Sequence, residues 1–220
     1  MHPLTEGSRS VIFDYDGTLV DTASAFLNSV NEALRKTGVR GATRREISSM
    51  DLRSIIAERL SEVESHALVE VVFDSMWDEF AETLSSPFPL RDGAAETLEA
   101  LTKRGIGLGL ISKRGGRAGA LPLIELRAAG LEKLFRSVKI GVGLREYGAA
   151  ISNALEELGG RPQDSIIVSD WCKDIEYAKS SGLRAVGIIG GVSDEDEHKA
   201  AGADWIVENL NEIPALLIPQ

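Results

Sequence analysis

The chain has 220 residues, 43% of them hydrophobic and 26% charged, the balance of a soluble globular protein large enough to bury a core without staples. A net charge of −10 disfavours nucleic acid or an anionic membrane as partner. The single cysteine, Cys172, leaves no pair for a disulfide within the chain, and no apolar run approaches the ~20 residues of a membrane span, so a cytoplasmic protein is expected.

Residues 1–9 read as a loose lead-in. Val11, Ile12 and Phe13 have the pattern of a buried strand, which ends abruptly at Asp14-Tyr15-Asp16-Gly17-Thr18. A helix is predicted from Thr22, with Phe26, Val30, Ala33 and Leu34 on one face and Gly38 as its stop. Thr43 and Glu46 have capping-box spacing, and residues 51–60 read as another helix. Through residues 64–84, Val69, Val72, Phe73, Met76, Trp77 and Phe80 recur at helical spacing. That stripe is expected to pack between helices rather than face a ligand. Residues 22–84 are thus all-helical, and residues 85–89 read as a hinge.

After the hinge, helix and strand alternate. Helices are predicted over 92–103, 117–129, 149–158 and 175–181. Strands are predicted over 106–111, 135–142, 165–168 and 185–189, with a short edge strand at 204–207 before a terminal helix. This alternation builds right-handed βαβ units, hence a doubly wound α/β fold with a parallel sheet covered on both faces.

Ligands bind beyond the carboxyl ends of the strands in such sheets. The polar clusters fall there: Asp14 and Asp16 after the first strand, Ser112 after the second, Asp170 and Asp174 after the strand at 165–168. Two carboxylates one residue apart repel unless a cation joins them, and Mg²⁺ is the candidate, a hard ion that takes oxygen ligands and often meets phosphate. Asp14 could also serve as a nucleophile. The same residues fit an acidic turn closing an ordinary strand. Ser112 and the glycine-containing loop after it suit a phosphate, or an N-cap. Asp170 and Asp174 could serve a metal, or cap a helix. Trp171 either lines a site or packs in the core, while His198 and the acidic run at 194–197 are expected in solvent.

Asp14-Tyr15-Asp16-Gly17-Thr18-Leu19 resembles the first motif, D-x-D-G-T-L, of the haloacid dehalogenase-like hydrolase superfamily. Ser112 resembles its second motif, and Asp170 with Asp174 its fourth. The helical insert is similar to the cap of the phosphoglycolate phosphatase and β-phosphoglucomutase branch. The resemblance implies a Rossmann-like core of residues 1–21 and 86–220 with a helical cap at 22–85. It implies a Mg²⁺-dependent phosphatase acting on a small-molecule phosphomonoester. Asp14 would attack phosphorus, and Asp16 would protonate the leaving oxygen and then activate water. Gly17, Thr18, Ser112 and Lys113 would bind phosphate, and Asp14, Asp16, Asp170 and Asp174 would hold the metal. An acid at Asp16 favours phosphate over halide chemistry, because a halide leaves without a proton. A monomer or homodimer is expected. The alternatives are a phosphosugar mutase of the β-phosphoglucomutase kind and a catalytically weak phosphoester-binding module.

The third motif of that family is a lysine in K-P-x-P. Counting back from residues 154–159 puts Arg145 there, with both prolines missing. Arg145 is expected to face Asp14 and phosphate as the catalytic cation, with Lys139 and Lys113 as the other cations that could reach the site.

Overall fold

The computed structural model describes residues 9–61, 66–83 and 88–217. The lead-in at 1–8 and residues 85–87 of the expected hinge lie outside the described residues. The first strand, β1 (Ser10–Asp14), is followed by four helices: α1 (Ala23–Lys36), α2 (Arg44–Ser49), α3 (Leu52–Ser61) and α4 (Val69–Thr83). The chain then alternates through α5 (Ala94–Lys103), β2 (Gly107–Ser112), α6 (Leu121–Ala128), β3 (Phe135–Ile140), α7 (Tyr147–Leu158) and β4 (Ser165–Ser169). It closes with α8 (Cys172–Ser180), β5 (Arg184–Ile188), α9 (Glu195–Ala200), β6 (Trp205–Val207) and α10 (Ile213–Leu216).

The six strands form one parallel sheet in the order β3-β2-β1-β4-β5-β6. Every residue of β1 is buried, as a central strand covered on both faces requires. Its side chains alternate. Val11 and Phe13 join α5 and α10 in one cluster, and Ile12 joins α7 and α8 in the other. The chain runs outward from β1 to β2 and β3, then returns to lay β4 on the opposite side of β1. The order therefore reverses at β1, and a crevice opens at its carboxyl end.

The helices between β1 and α5 have a hydrophobic cluster of their own. Val30 and Leu34 of α1 meet Ile55 and Leu60 of α3 and Val72, Met76, Trp77 and Phe80 of α4. Phe26, Phe73 and Phe80 surround Trp77 at tilted or edge-on angles. The expected capping box at Thr43 and Glu46 is formed. Chain entry to and exit from these helices run side by side, with Val20 bridged to Leu90 and the Arg91 N–H donating to the Leu19 carbonyl at 2.9 Å.

Local details differ from the expectations for physical reasons. The helix expected at 117–129 opens as a 3-10 turn, and α6 begins only at Leu121, with Pro122 in its first turn. The helix expected from 175 begins at Cys172, directly after the β4 turn. His198 was expected in solvent but is buried on α9, where desolvation pulls its imidazole pKa down and favours the neutral ring. The acidic run does start a helix, with Asp194 and Glu197 forming a second capping box.

Candidate active site

The crevice at the end of β1 gathers Asp14, Asp16, Lys113, Asp170 and Asp174. Register explains the meeting. Asp14 pairs with Ile111 on β2, so Lys113 lies two residues beyond its level, while Asp170 follows the end of β4 on the other side. Three carboxylates are buried there: Asp14 is 3% exposed, Asp170 1% and Asp174 0%. Lys113 is the ammonium that joins two of them. Its Nζ donates to Asp14 Oδ1 at 2.8 Å and to Asp174 Oδ2 at 2.7 Å. The same ammonium lies 4.9 Å from the Tyr147 ring centroid and 5.2 Å from that of Trp171, two cation–π contacts that fix its direction. Burial pulls the Lys113 pKa down, but the two carboxylates more than offset it, so the ammonium stays charged.

Asp170 is held rigidly. Thr18 Oγ1 donates to its Oδ1 at 3.1 Å, and the Val192 N–H donates to its Oδ2 at 2.7 Å. Gly17, at φ +75°, and Gly191 press against it; a Cβ at either position would come within 2.2 and 2.1 Å of Asp170 Oδ2. Any larger residue would displace the carboxylate. Asp174 accepts from Ser169 Oγ at 2.8 Å through Oδ2, while its Oδ1 is buried without a hydrogen-bond partner.

Charge does not balance. Three buried carboxylates face one ammonium. Burial, followed by the repulsion of Asp174 and Asp170, pushes the Asp14 pKa well up against the pull of Lys113, and burial pushes Asp170 up to about 6. Among the described residues, no three His, Cys, Asp or Glu side chains form a ready metal cage. Excess buried negative charge and an all-oxygen set of carboxylates nevertheless fit a hard cation.

Asp16 stands apart from that cluster. Arg114 Nε lies 3.0 Å from both of its oxygens, Arg114 Nη2 lies 2.7 Å from Oδ1, and Thr22 Oγ1 donates to Oδ1 at 2.9 Å. Arg114 is fully buried and also reaches Glu125, which accepts from the Tyr15 hydroxyl at 2.6 Å. This bidentate grip fixes the plane of the Asp16 carboxylate. Arg91 braces the loop beneath, donating to the Gly17 carbonyl at 2.5 Å and to the Ile189 carbonyl at 2.7 Å.

Above the acids lies a cavity of about 180 Å³, walled by the helices α1–α4 and by the loops after β1, β2 and β3. Trp171 forms part of this wall and donates from its indole to the Ser48 carbonyl of α2 at 2.9 Å. Ser48, Ser193 and Cys172 continue the contact, so α2 is tied to the turn after β4.

A family model for haloacid dehalogenase-like hydrolases matches residues 11–188. The chain belongs to the haloacid dehalogenase-like hydrolase family. It is 29% identical over 199 residues to a phosphoglycolate phosphatase of Agrobacterium fabrum, covering 85% of this chain and 83% of that protein. It is 27% identical over 211 residues to a phosphoglycolate phosphatase of Synechococcus elongatus, covering 93% and 95%. Among solved structures, a predicted phosphoglycolate phosphatase from Haemophilus somnus aligns with a TM-score of 0.77 at 22% identity over 98% of this chain and 100% of that one, a shared fold.

This hydrolase brings Asp14, Asp16, Gly17, Lys113, Asp170 and Asp174 together, and places Arg145, Ser112 and Thr18 otherwise than expected. Arg145 is exposed, outside the cavity wall, and makes no contact with Asp14. Helix α7 begins at Tyr147, two residues after Arg145, and the buried Tyr147 ring, rather than the Arg145 guanidinium, enters the cluster. Lys139 pairs with Glu157 at 2.5 Å, away from the acids. Lys113 occupies the place expected of Arg145. Gly17 lines the cavity, but Ser112 and Thr18 do not. Ser112 is buried and its Oγ accepts from the Arg114 N–H at 3.2 Å, holding the turn that aims Lys113 and Arg114. Arg114, Glu125, Arg91 and Tyr147 were not singled out in the sequence. Their only advance signal was two adjacent cations, Lys113 and Arg114, at the end of a predicted strand.

Proposed function

We propose that this hydrolase cleaves a small-molecule phosphomonoester, with Mg²⁺ as cofactor and Asp14 as the group that takes up the phosphoryl. The observation that carries this reading is the Lys113 ammonium set directly on Asp14 at the floor of a covered cavity. Residues 22–85 would act as the cap over a core of 1–21 and 86–220. Mg²⁺, held by Asp14, the Asp16 carbonyl and Asp170 with Asp174 in support, would add positive charge where phosphoryl oxygens gather. Asp14 attacks phosphorus as the ester P–O bond breaks, and Asp16 gives its proton to the departing oxygen. Asp16 then takes a proton from the water that releases phosphate from Asp14. Lys113 stabilises the equatorial oxygens. Arg114 aims Asp16 at the leaving group. A catalytically weak module would need the catalytic cation to be missing, and Lys113 supplies one. A cytoplasmic setting suits a chain whose lone cysteine is buried and reduced. Among the described residues no helix is long and apolar enough to cross a membrane.

The reading is tested by phosphate release from a panel of monoesters with Mg²⁺ and with chelator. Turnover of at least one ester, lost on chelation and restored by Mg²⁺, is expected. Release that ignores the chelator would overturn the metal assignment.

Stability should report the metal as well. The Asp170 pKa, raised to about 6 from an ordinary 3.8, means that the folded state holds a proton the unfolded chain has released. This contribution is present below the ordinary carboxylate range and is lost as pH rises through about 6. Asp14 acts in the same direction. Without metal, the site therefore weakens the fold near neutral pH, and a divalent cation offsets that loss. Mg²⁺ is expected to raise Tm at about pH 7 and much less at about pH 5, read by thermal denaturation. An equal rise at both would contradict the charge assignment.

A further inference from the structure

The wall of the cavity is more selective than its floor. Above the acids it is built from Phe26, Met50, Leu52, Phe73, Trp77 and Leu144. Two charged side chains of α3 and its approach also reach it, and both are engaged. Asp51 Oδ2 caps α3, accepting from the Ser54 N–H at 3.1 Å. Arg53 Cζ lies over Phe73, 3.6 Å from the ring centroid, and Nε pairs with Glu70 at 3.0 and 3.2 Å. Thr22 is spent on Asp16 and on the Gly17 N–H. The wall thus offers mainly aromatic and aliphatic surface, with Asp51 Oδ2 and Arg53 Nε already paired. A row of hydroxyls carried beyond the phosphate would be desolvated with little return, and a carboxylate would have to draw on the outer amino groups of Arg53.

Size sets a limit. An apolar cavity of about 150 Å³ accommodates benzene. The cavity here, at about 180 Å³, spans the acid cluster and this wall together, so one ring is the upper size of the leaving group.

We propose that the substrate class is the phosphate monoester of an apolar, single-ring alcohol, of the arylalkyl type, rather than a carboxylated two-carbon or a sugar phosphate. The inference rests on the phosphatase reading above. The ester oxygen leaves phosphorus as the Asp14 oxygen bonds to it, the alcohol departs with the proton from Asp16, and water then returns Asp14 and yields inorganic phosphate. Nothing is oxidised or reduced. The aromatic stripe of α4 thus packs the cap and also presents Phe73 and Trp77 to the leaving group.

The test compares phenylethyl phosphate with ethyl phosphate, whose leaving alcohols are of similar acidity, and with phosphoglycolate, on the Mg²⁺-loaded wild type. The expected kcat/KM for phenylethyl phosphate exceeds that for ethyl phosphate by roughly 10- to 100-fold, with phosphoglycolate at or below ethyl phosphate. Met50→Asp should lower the phenylethyl-to-ethyl ratio, and because both rates come from one variant, loss of folded protein cancels. Equal rates for the two esters overturn the proposal. So does a preference for phosphoglycolate that Arg53→Leu removes, since the wall would then be a carboxylate site. Calorimetry with phenylpropylphosphonate and ethylphosphonate separates this inference from the phosphatase reading. If no ester is hydrolysed but the phenyl ligand binds at least about tenfold more tightly, hydrolysis fails and the apolar class stands. Equal affinity of the two phosphonates overturns the apolar class.

Discussion

Asp14→Asn is expected to cut Mg²⁺-dependent phosphate release by more than about a thousandfold while leaving the protein folded. The chemical part follows from position. Asp14 ends the central strand, 3% exposed, with Lys113 on one oxygen and the cavity above it. No other carboxylate shares that placement: Asp16 is gripped by Arg114, Asp170 is tied to Thr18 and Val192, and Asp174 lies beneath Lys113. The structural part follows from charge. Burial and the neighbouring acids already push the Asp14 pKa up, so a neutral amide of nearly the same shape relieves repulsion. Tm of the metal-free variant near neutral pH should equal or exceed that of the wild type. Lost activity with retained Tm separates chemistry from folding. Near-normal phosphate release by the variant would remove Asp14 from the mechanism.

Lys113→Ala is expected to lower kcat by about a hundred- to a thousandfold, the usual cost of removing a donor aimed at developing negative charge. Arg145→Ala should stay within about twofold of wild type, as for an exposed side chain that touches nothing in the site. The two variants distinguish the cation that geometry selects from the one that counting along the chain selects. Lys113→Ala also leaves Asp14 and Asp174 facing each other without their shared partner, so its Tm should fall as well. Lys113→Arg keeps the charge and is expected to recover much of the lost Tm. It should recover less of the rate, because a planar fork cannot sit as a point charge between Tyr147 and Trp171. Steady-state kinetics and thermal melts on the three variants decide the matter. An Arg145→Ala loss as large as that of Lys113→Ala would overturn the assignment.

The contrast shows what the sequence could reveal. Asp14 and Asp16 were legible because a strand ends there in an acidic Asp-Gly turn, and strand ends in an alternating chain define one rim. Ser112, Asp170 and Asp174 were placed on that rim by the same rule. Lys113 was legible only as a phosphate-binding residue and one alternative to Arg145, because it reaches Asp14 through the pairing of β2 with β1, a contact across 99 residues of sequence. Counting along α7 led instead to Arg145, since spacing along a helix does not tell where its first turn meets the sheet. The buried Arg114 and Glu125 were hidden for a related reason. Charged residues in a loop and on a short helix read as solvated until tertiary packing closes over them. The aromatic stripe of α4 was read as packing alone, yet a helical face broad enough to fill a cap can also border a cavity.

The most direct test of Asp14 as the phosphoryl acceptor is a rapid-quench experiment on the wild type with Mg²⁺ and a slowly hydrolysed monoester, followed by acid digestion and peptide mass spectrometry. The peptide containing Asp14 should gain the mass of one phosphoryl group early in turnover and lose it as substrate is exhausted, and it should stay unmodified in Asp14→Asn. Steady phosphate release with no phosphorylated Asp14 peptide at any time point, or with the phosphoryl group on another residue, would contradict the account.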